Sequence, residues 1–219
     1  TLELTPDEFR GGIPKAVAAG TLIPIFCVSG KRDIGVDELL DGMAAFCPSP
    51  EDILRKSEDG TAISPDPGGP LVAQVFKTRI DPFVARMNYL RVFSGTLKRD
   101  ASVNDFTTAK MVKIGALREV QGCQLTAVAE AIPGDIVAAV RVDGLHTSDS
   151  LGDLKLKPIN FPKPMVGWAV EPKTSADQQK ISGALARIVE EDQTFSITRE
   201  EQTHEIVVHG MSELHLQIR

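Results

Sequence analysis

The sequence predicts three consecutive segments of different fold class: an α/β stretch, an all-β sandwich or small barrel, and an α+β unit of ferredoxin-like pattern. Three observations carry that division. Breakers cluster twice, in Ser64–Pro70 (SPDPGGP) and in Lys157–Pro164, where Pro158, Pro162 and Pro164 fall close together. Neither run suits a helix or a central strand. Strand-like runs crowd the stretch between those breaks, and helical spacing dominates outside it. The charge balance changes at the same places: Lys and Arg outnumber Asp and Glu, 12 to 9, only between residues 68 and 157. We place the segments at 1–66, 67–158 and 159–219.

In the first segment, Thr5 or Asp7 caps a short helix running to about Ala19. Thr21–Ser29 (TLIPIFCVS) is compact, apolar and rich in β-branched residues, the pattern of a buried strand. From Asp33 to Phe46, the residues Val36, Leu39, Leu40, Met43 and Ala44 recur at helical spacing ahead of Pro48. Roughly fifty residues cannot cover both faces of such a unit, so this segment is expected to be the tail of a larger domain.

The middle segment carries strand-like runs around 71–80, 86–93, 102–108, 111–120, 125–130 and 136–142. Turn signals separate them at Ser94-Gly95, Gly122, Pro133-Gly134, Asp143-Gly144 and Gly152. In the second run, Met87 and Tyr89 share one face while Leu90 and Val92 share the other. That change of phase predicts a β-bulge in this strand.

The third segment opens with the strand MVGWAVEP, stopped by Pro172. A helix follows, with Ile181, Ala184, Leu185, Ile188 and Val189 on one stripe and a capping box offered by Ser175 and Gln178. Strand-like runs at 195–199 and 205–209 precede a second helical pattern from Met211. Strand, helix, strand, strand, helix is most of a ferredoxin-like unit, its last strand lacking. Glu190, Glu191 and Asp192 close the first helix at the end where negative charge opposes the helix dipole. A solvated end is the plain expectation, and a contact with a basic neighbour the functional one.

With 42% hydrophobic and 25% charged residues the chain is globular rather than disordered. Its apolar runs stop at about five residues, against the ~20 that span a bilayer, and no export leader is visible. A net charge of −6 argues against bulk nucleic-acid affinity and leaves the middle segment as the basic face. Cys27, Cys47 and Cys123 are too scattered for a disulfide framework or a metal site; buried, inert thiols in a reducing, cytoplasmic setting are expected. His146, His204, His209 and His215 lack ligand spacing, so no metal is expected, and His209 and His215 are read as structural.

Four runs, in order, resemble translation elongation factor G and its translational GTPase relatives, over nearly the whole chain. PIFCVSGKRDIGVDELLDGMAAFCPSP (Pro24–Pro50) resembles the end of that family's GTPase domain. QVFKTRIDPFVARMNYLRVFSGTLKRDASV (Gln74–Val103) resembles the opening of its β-barrel. AVEPKTSADQQKISGALARIVEEDQTF (Ala169–Phe195) and HGMSELHL (His209–Leu216) resemble its next domain. Departures are present: Val28 and Gly30 stand where the family has Gly and Ala, Ser212 where it has Gly, and Gln217 where it has Glu. The TGDTL turn appears as Thr147-Ser148-Asp149-Ser150-Leu151. They suggest a divergent member and leave translocase, recycling and ribosome-protection roles open.

The resemblance implies the tail of a P-loop GTPase domain, then a translation-factor β-barrel (domain II), then a ferredoxin-like domain III. It further implies a fragment of a cytoplasmic, monomeric, ribosome-dependent GTPase acting in elongation and translocation. Its partners would be small-subunit RNA and protein, with no DNA and no membrane. GTP and Mg²⁺ are implied for the whole protein and no cofactor for this fragment, because the chain shows no P-loop GxxxxGK[ST] and no NKxD. Two DxxG strings, Asp66–Gly69 and Asp149–Gly152, lack a P-loop behind them, so no catalytic residue is assigned. A stand-alone RNA- or ribosome-binding module is the alternative from another class.

Residue by residue, the resemblance places Ser29, Gly30 and Lys31 where the family's loop meets the guanine base, Ser29 supporting the loop and the next two amides facing the base. Arg79, Arg86, Arg91, Lys98, Arg99, Lys110, Lys113 and Arg118 are the barrel's candidates for RNA phosphates. Lys98-Arg99 is the preferred contact. Glu213 and His215 are the candidates for relaying movement between domains.

Overall fold

The computed structural model describes residues 5–81 and 85–219, and it divides between Arg55 and Lys56 into two compact units. In the first unit, α1 (Pro6–Ala18) starts from Thr5, whose hydroxyl accepts the Glu8 amide while the Glu8 carboxylate accepts the Thr5 amide at 2.9 Å. These reciprocal bonds satisfy two donors that a helix start leaves unpaired. α2 (Val36–Phe46) starts from Gly35, whose φ of 72° suits glycine and where a Cβ would lie 2.6 Å from the Cys27 carbonyl oxygen.

The strand expected at Thr21–Ser29 is not formed. Apart from one bridge between Ser29 and Ile34, this run pairs with nothing among the described residues, and Ile23 and Ile25 are 81% and 87% exposed. A strand needs a neighbour for its N–H and C=O groups, and this unit offers none. The thiols are corrected likewise: Cys27, Cys47 and Cys123 are all exposed, Cys47 just past the end of α2 and Cys123 in a turn at Gly122-Cys123.

The second unit opens at Lys56, the second residue of β1 (Arg55–Lys56), which forms a hairpin with β2 (Ala62–Ile63). Its Glu58 amide donates to the Lys155 carbonyl at 2.8 Å, Lys155 Nζ pairs with the Glu58 carboxylate at 2.8 Å, and Ile63 is buried with Val72 and Leu156. The division into compact units falls between Arg55 and Lys56, ahead of residue 66. SPDPGGP is pinned as well: Asp66 accepts Gly68 N–H on its side chain and the Gly69 and Gly95 N–H groups on its carbonyl.

The barrel is built from β3 (Val72–Asp81), β4 (Ala85–Ser94), β5 (Leu97–Lys98), β6 (Ser102–Asp105), β7 (Lys110–Lys113), β8 (Ala116–Gln121), β9 (Gln124–Val128), β10 (Glu130–Ala131), β11 (Ile136–Val140) and β12 (Ser150–Gly152). Eight strands form one antiparallel sheet in the order β7-β6-β12-β3-β4-β11-β8-β9, and β5 pairs with β10. Backbone bonds from Asp100 to Gly115 (3.2 Å) and Ile114 to Ala101 (2.8 Å) extend the β6–β7 hairpin, and the bond from Arg99 to Ala129 (2.9 Å) extends the β5–β10 pairing. The sheet closes on one core, in which Val75, Leu90, Val92, Leu97, Ile114, Leu117, Leu145 and Leu151 are fully buried.

The run expected at 111–120 breaks at Ile114-Gly115 into β7 and β8. Over Met87–Val92, where the phase change is expected, β4 alternates without a break and both its faces are covered. Leu90 and Val92 point into the barrel, while Met87 and Tyr89 pack outside with Ala138 and Val140. The bulge opposite them lies on β3, where Phe76 is the extra residue between the pairs Val75–Leu90 and Lys77–Tyr89. A second irregularity, near Phe93, does fall on β4.

Past the barrel come β13 (Val166–Val170), α3 (Ser175–Glu191), β14 (Ser196–Arg199), β15 (Ile206–Gly210) and α4 (Glu213–Ile218). The sheet order is β13-β15-β14, with β15 antiparallel to both neighbours, which is the split β-α-β arrangement. Leu185, Ile188 and Val189 of α3 pack on Phe195, Val208 and Leu216. The cap of α3 is Thr174, one residue before the expected box: its hydroxyl accepts the Asp177 amide at 3.2 Å and donates to the Asp177 carboxylate at 2.7 Å.

At Gly152, φ is 104° and a Cβ would lie 1.9 Å from the Leu71 carbonyl oxygen. We expect Gly152→Ala to destabilise the barrel by about 3 kcal/mol, combining left-handed strain with a backbone clash. The midpoint of denaturant unfolding, followed by far-UV circular dichroism, reads this directly.

Candidate functional site

Ser29, Gly30 and Lys31 lie on a closed loop. Ser29 N–H donates to the Ile34 carbonyl at 2.9 Å, Ile34 N–H returns to Ser29 at 3.2 Å, and Arg32 N–H also reaches the Ser29 carbonyl. Gly30 and Lys31 are exposed at the loop's tip, and their amides donate to no backbone carbonyl among the described residues. Nothing lies within 4 Å of where a Gly30 Cβ would sit, so packing does not demand glycine there. The loop is seated by Gly35, under the Cys27 carbonyl, and by Gly42 of α2, against which the Phe26 ring packs.

The barrel's basic candidates do not form one patch. Lys98 faces Glu130 across β5 and β10, and Arg99 Nε lies 3.2 Å from Asp100, with both of those side chains largely exposed. Arg91 stacks over the Phe93 ring with its guanidinium carbon 6.0 Å from the centroid. Arg79 is paired loosely with Asp81 at 4.0 Å. Lys110 and Lys113 share a concavity of about 330 Å³ with Arg141, Asp143 and His146. Arg141 is not among the sequence candidates; it is the residue directly after the strand IVAAV, held at a φ of 58° with its amide donating to the Arg86 carbonyl at 2.9 Å.

Arg86 turns away from solvent. Its guanidinium pairs with Glu190 near the C-terminal end of α3 and donates to the Leu145 carbonyl at 3.4 Å. Beside it, the Ile80 N–H donates to the Glu191 carboxylate at 2.5 Å. The acidic end of α3 thus meets basic and N–H partners on the barrel, the functional alternative of the two read from sequence.

Asp192 completes the run by tying α3 to α4. Its carboxylate accepts from His215 Nε2 at 2.9 Å, from Arg219 at 2.7 Å and from the Thr194 hydroxyl and amide. His215 Nδ1 accepts the Met211 amide at 3.0 Å, which leaves the proton of the neutral ring on Nε2, facing Asp192. Ser212 caps α4, accepting the His215 amide at 3.1 Å, while Glu213 is exposed in the first turn. Asp66–Gly69 is the turn described above, whereas Asp149–Gly152 leads into β12, with Asp149 buried and its carboxylate accepting the His146 amide at 2.6 Å.

Two family models match this architecture: elongation factor G domain 2 over residues 70–154, and elongation factor G domain III over residues 161–219. The chain belongs to the elongation factor G family. A crystal structure of a protein from Thermus thermophilus superposes with a TM-score of 0.81 at 31% identity, over 99% of this chain and 32% of that one. The chain spans about a third of that protein's length. In elongation factor G terms, β3 to β12 are domain II and β13 to α4 are domain III, and the acidic end of α3 is a joint between them. Among the described residues no helix is long and apolar enough to cross a membrane.

Burial alone would raise Asp192, but the bonds from Thr194, Arg219 and His215 outweigh it and hold the carboxyl well below the usual range. A depressed carboxylate stabilises the fold above its unfolded pKa of about 3.9, and that contribution fades as pH falls through the folded value. Asp192→Asn is therefore expected to cost about 2 kcal/mol at pH 7. The deficit should shrink steadily below about pH 4. Urea unfolding at stepped pH measures it; a deficit constant down to about pH 2 contradicts this account.

Proposed function

We propose that the chain is the middle of a ribosome-dependent GTPase: the end of the GTPase domain, followed by the domains that hold the factor on the small subunit and pass movement along it. The observation that carries this reading is the pairing of two features in the first unit. An apolar run with Ile23 and Ile25 exposed leads straight into a closed loop whose tip amides donate to no backbone carbonyl among the described residues. Such a run wants a sheet beside it, and such a loop can offer N–H donors to a nucleotide base. A GTPase domain supplies both the sheet and, through its P-loop and Mg²⁺, the phosphate chemistry.

In this reading Ser29 fixes the loop, and the Gly30 and Lys31 amides face the guanine. Domain II contributes phosphate contacts on RNA, for which Lys110 and Lys113, gathered with Arg141, are the best-grouped candidates; Arg86 and Arg91 are engaged within the protein. Lys98 and Arg99 remain exposed candidates beside acidic neighbours. The factor works in the cytoplasm as a monomer.

Co-sedimentation of the chain with small ribosomal subunits at stepped salt tests the partner. Affinity should fall linearly in log units with log salt, and Lys110→Ala with Lys113→Ala should lower the slope by about 0.7–0.9 per lost phosphate contact. A flat profile for the unaltered chain sinks the RNA assignment. The purified chain should turn over no GTP above a buffer blank, because no P-loop cradles the phosphates; turnover would overturn the division of labour proposed here.

A further inference from the structure

We infer that the last turn of α3 is a coupling node: Glu190 and Glu191 clamp domain III onto the barrel, and Asp192 makes that clamp sensitive to how α4 is seated. The first support is an electrostatic oddity. Three successive carboxylates crowd the end of a helix that has no basic residue in its last turn, where the dipole already disfavours negative charge. Each of them finds its compensation outside the helix. Glu190 pairs with Arg86, Glu191 takes the Ile80 N–H, and Asp192 takes His215 and Arg219.

The second support is that the pair is half-buried and its barrel end is held in place. Arg86 and Glu190 side chains are only 22% and 18% exposed, so water screens the pair weakly. The Arg86 guanidinium is held by the Leu145 carbonyl and its own carbonyl by the Arg141 amide. The chain that joins the two domains is bound to the barrel as far as Ile159, whose amide donates to the Ser148 hydroxyl at 3.1 Å. Beyond that point the Pro-rich stretch to Pro164 follows, and α3 against β3 is the principal packing between the folds.

The third support is direction. Glu190 and Glu191 face the barrel while Asp192, the next residue, faces α4. Releasing His215 from Asp192 leaves a partly buried carboxylate short of a partner, and the backbone that must relax to rehydrate it is the backbone that carries the clamp. Movement imposed on α4 is thereby transmitted to β3 and β4 through three consecutive residues. This inference does not depend on the ribosomal reading.

Hydrogen exchange of the Ile80 amide, read by NMR on the full chain, reports the joint, because its acceptor is a side chain of domain III. Arg86→Met and Glu190→Gln leave Glu191 in place, yet each should speed Ile80 exchange about tenfold while core amides of β4 and β11 stay slow. The charge swap Arg86→Glu with Glu190→Arg should restore slow exchange. His215→Ala should speed Ile80 several-fold and His215→Gln, which keeps a donor for Asp192, should not. Unchanged Ile80 exchange in both Arg86→Met and Glu190→Gln overturns the clamp. Faster exchange confined to β15 in His215→Ala, with Ile80 unmoved, overturns the coupling.

Discussion

Pairing of β3 with β4 is the contact on which the second unit depends, because those ten-residue strands are covered on both faces and engaged at both ends. Inward, Val75, Leu90 and Val92 are fully buried in the barrel core. Outward, Met87 and Tyr89 meet Ala138 and Val140 on β11, and the Phe76 ring, carried by the bulge, approaches Tyr89 with centroids 6.4 Å apart. At the start of β3, the Leu71 carbonyl comes so close to Gly152 that no side chain fits there. At the far end, Ile80 and Arg86 receive α3. A slip of one residue between these strands would exchange both cores at once and carry the joint with it, so their register is specified from both faces.

One polar group inside the barrel is part of the same constraint. Asn88 is fully buried in β4, accepting from the Thr78 hydroxyl at 3.0 Å and donating to the Val142 carbonyl at 3.2 Å. The side chain links β3, β4 and the loop after β11 near the end where Arg86 emerges. A buried amide left half satisfied would cost more than it contributes, so it holds these three segments in one arrangement. The joint to domain III is mounted on the part of the barrel that this amide fixes.

Much of the fold is legible in the sequence wherever burial and period coincide. The two long strands, the β8–β9 hairpin around Gly122, the turn at Pro133-Gly134 and the α3 stripe of Leu185, Ile188 and Val189 all stand where alternation, turn residues or helical spacing put them. Period reports which side chains want burial, and is silent on what will bury them. Thr21–Ser29 has the composition of a strand and no partner in its unit, so it stays unpaired. Met87 and Tyr89 mimic a phase slip because the outer cluster that covers them leaves no mark on the local pattern. The capping box expected at Ser175 and Gln178 misses by one position because Thr174 and Asp177 satisfy the same need. The candidate site is less legible for a related reason. Lys110 and Lys113 stand out by charge alone, but only the sheet order brings Arg141 beside them and turns Arg86 toward Glu190.

The acidic end of α3 shows how a locally unfavourable sequence becomes a structural device. Each carboxylate at a helix C-terminus costs about 0.3–1 kcal/mol against the dipole, and three together also repel one another. A helix stabilised only by its own residues would place Lys or Arg there. Here the cations and N–H donors come instead from the barrel and from α4, so the last turn is satisfied only while both neighbours are docked. Hydrophobic contact alone would join the domains by area and would yield gradually as they moved apart. Paired charges at one helix end give a joint that is either made or broken, since a carboxylate that loses its partner must find water before the helix can settle again. Domain III is thereby held to domain II in a defined orientation, and the hold is open to control by whatever displaces α4.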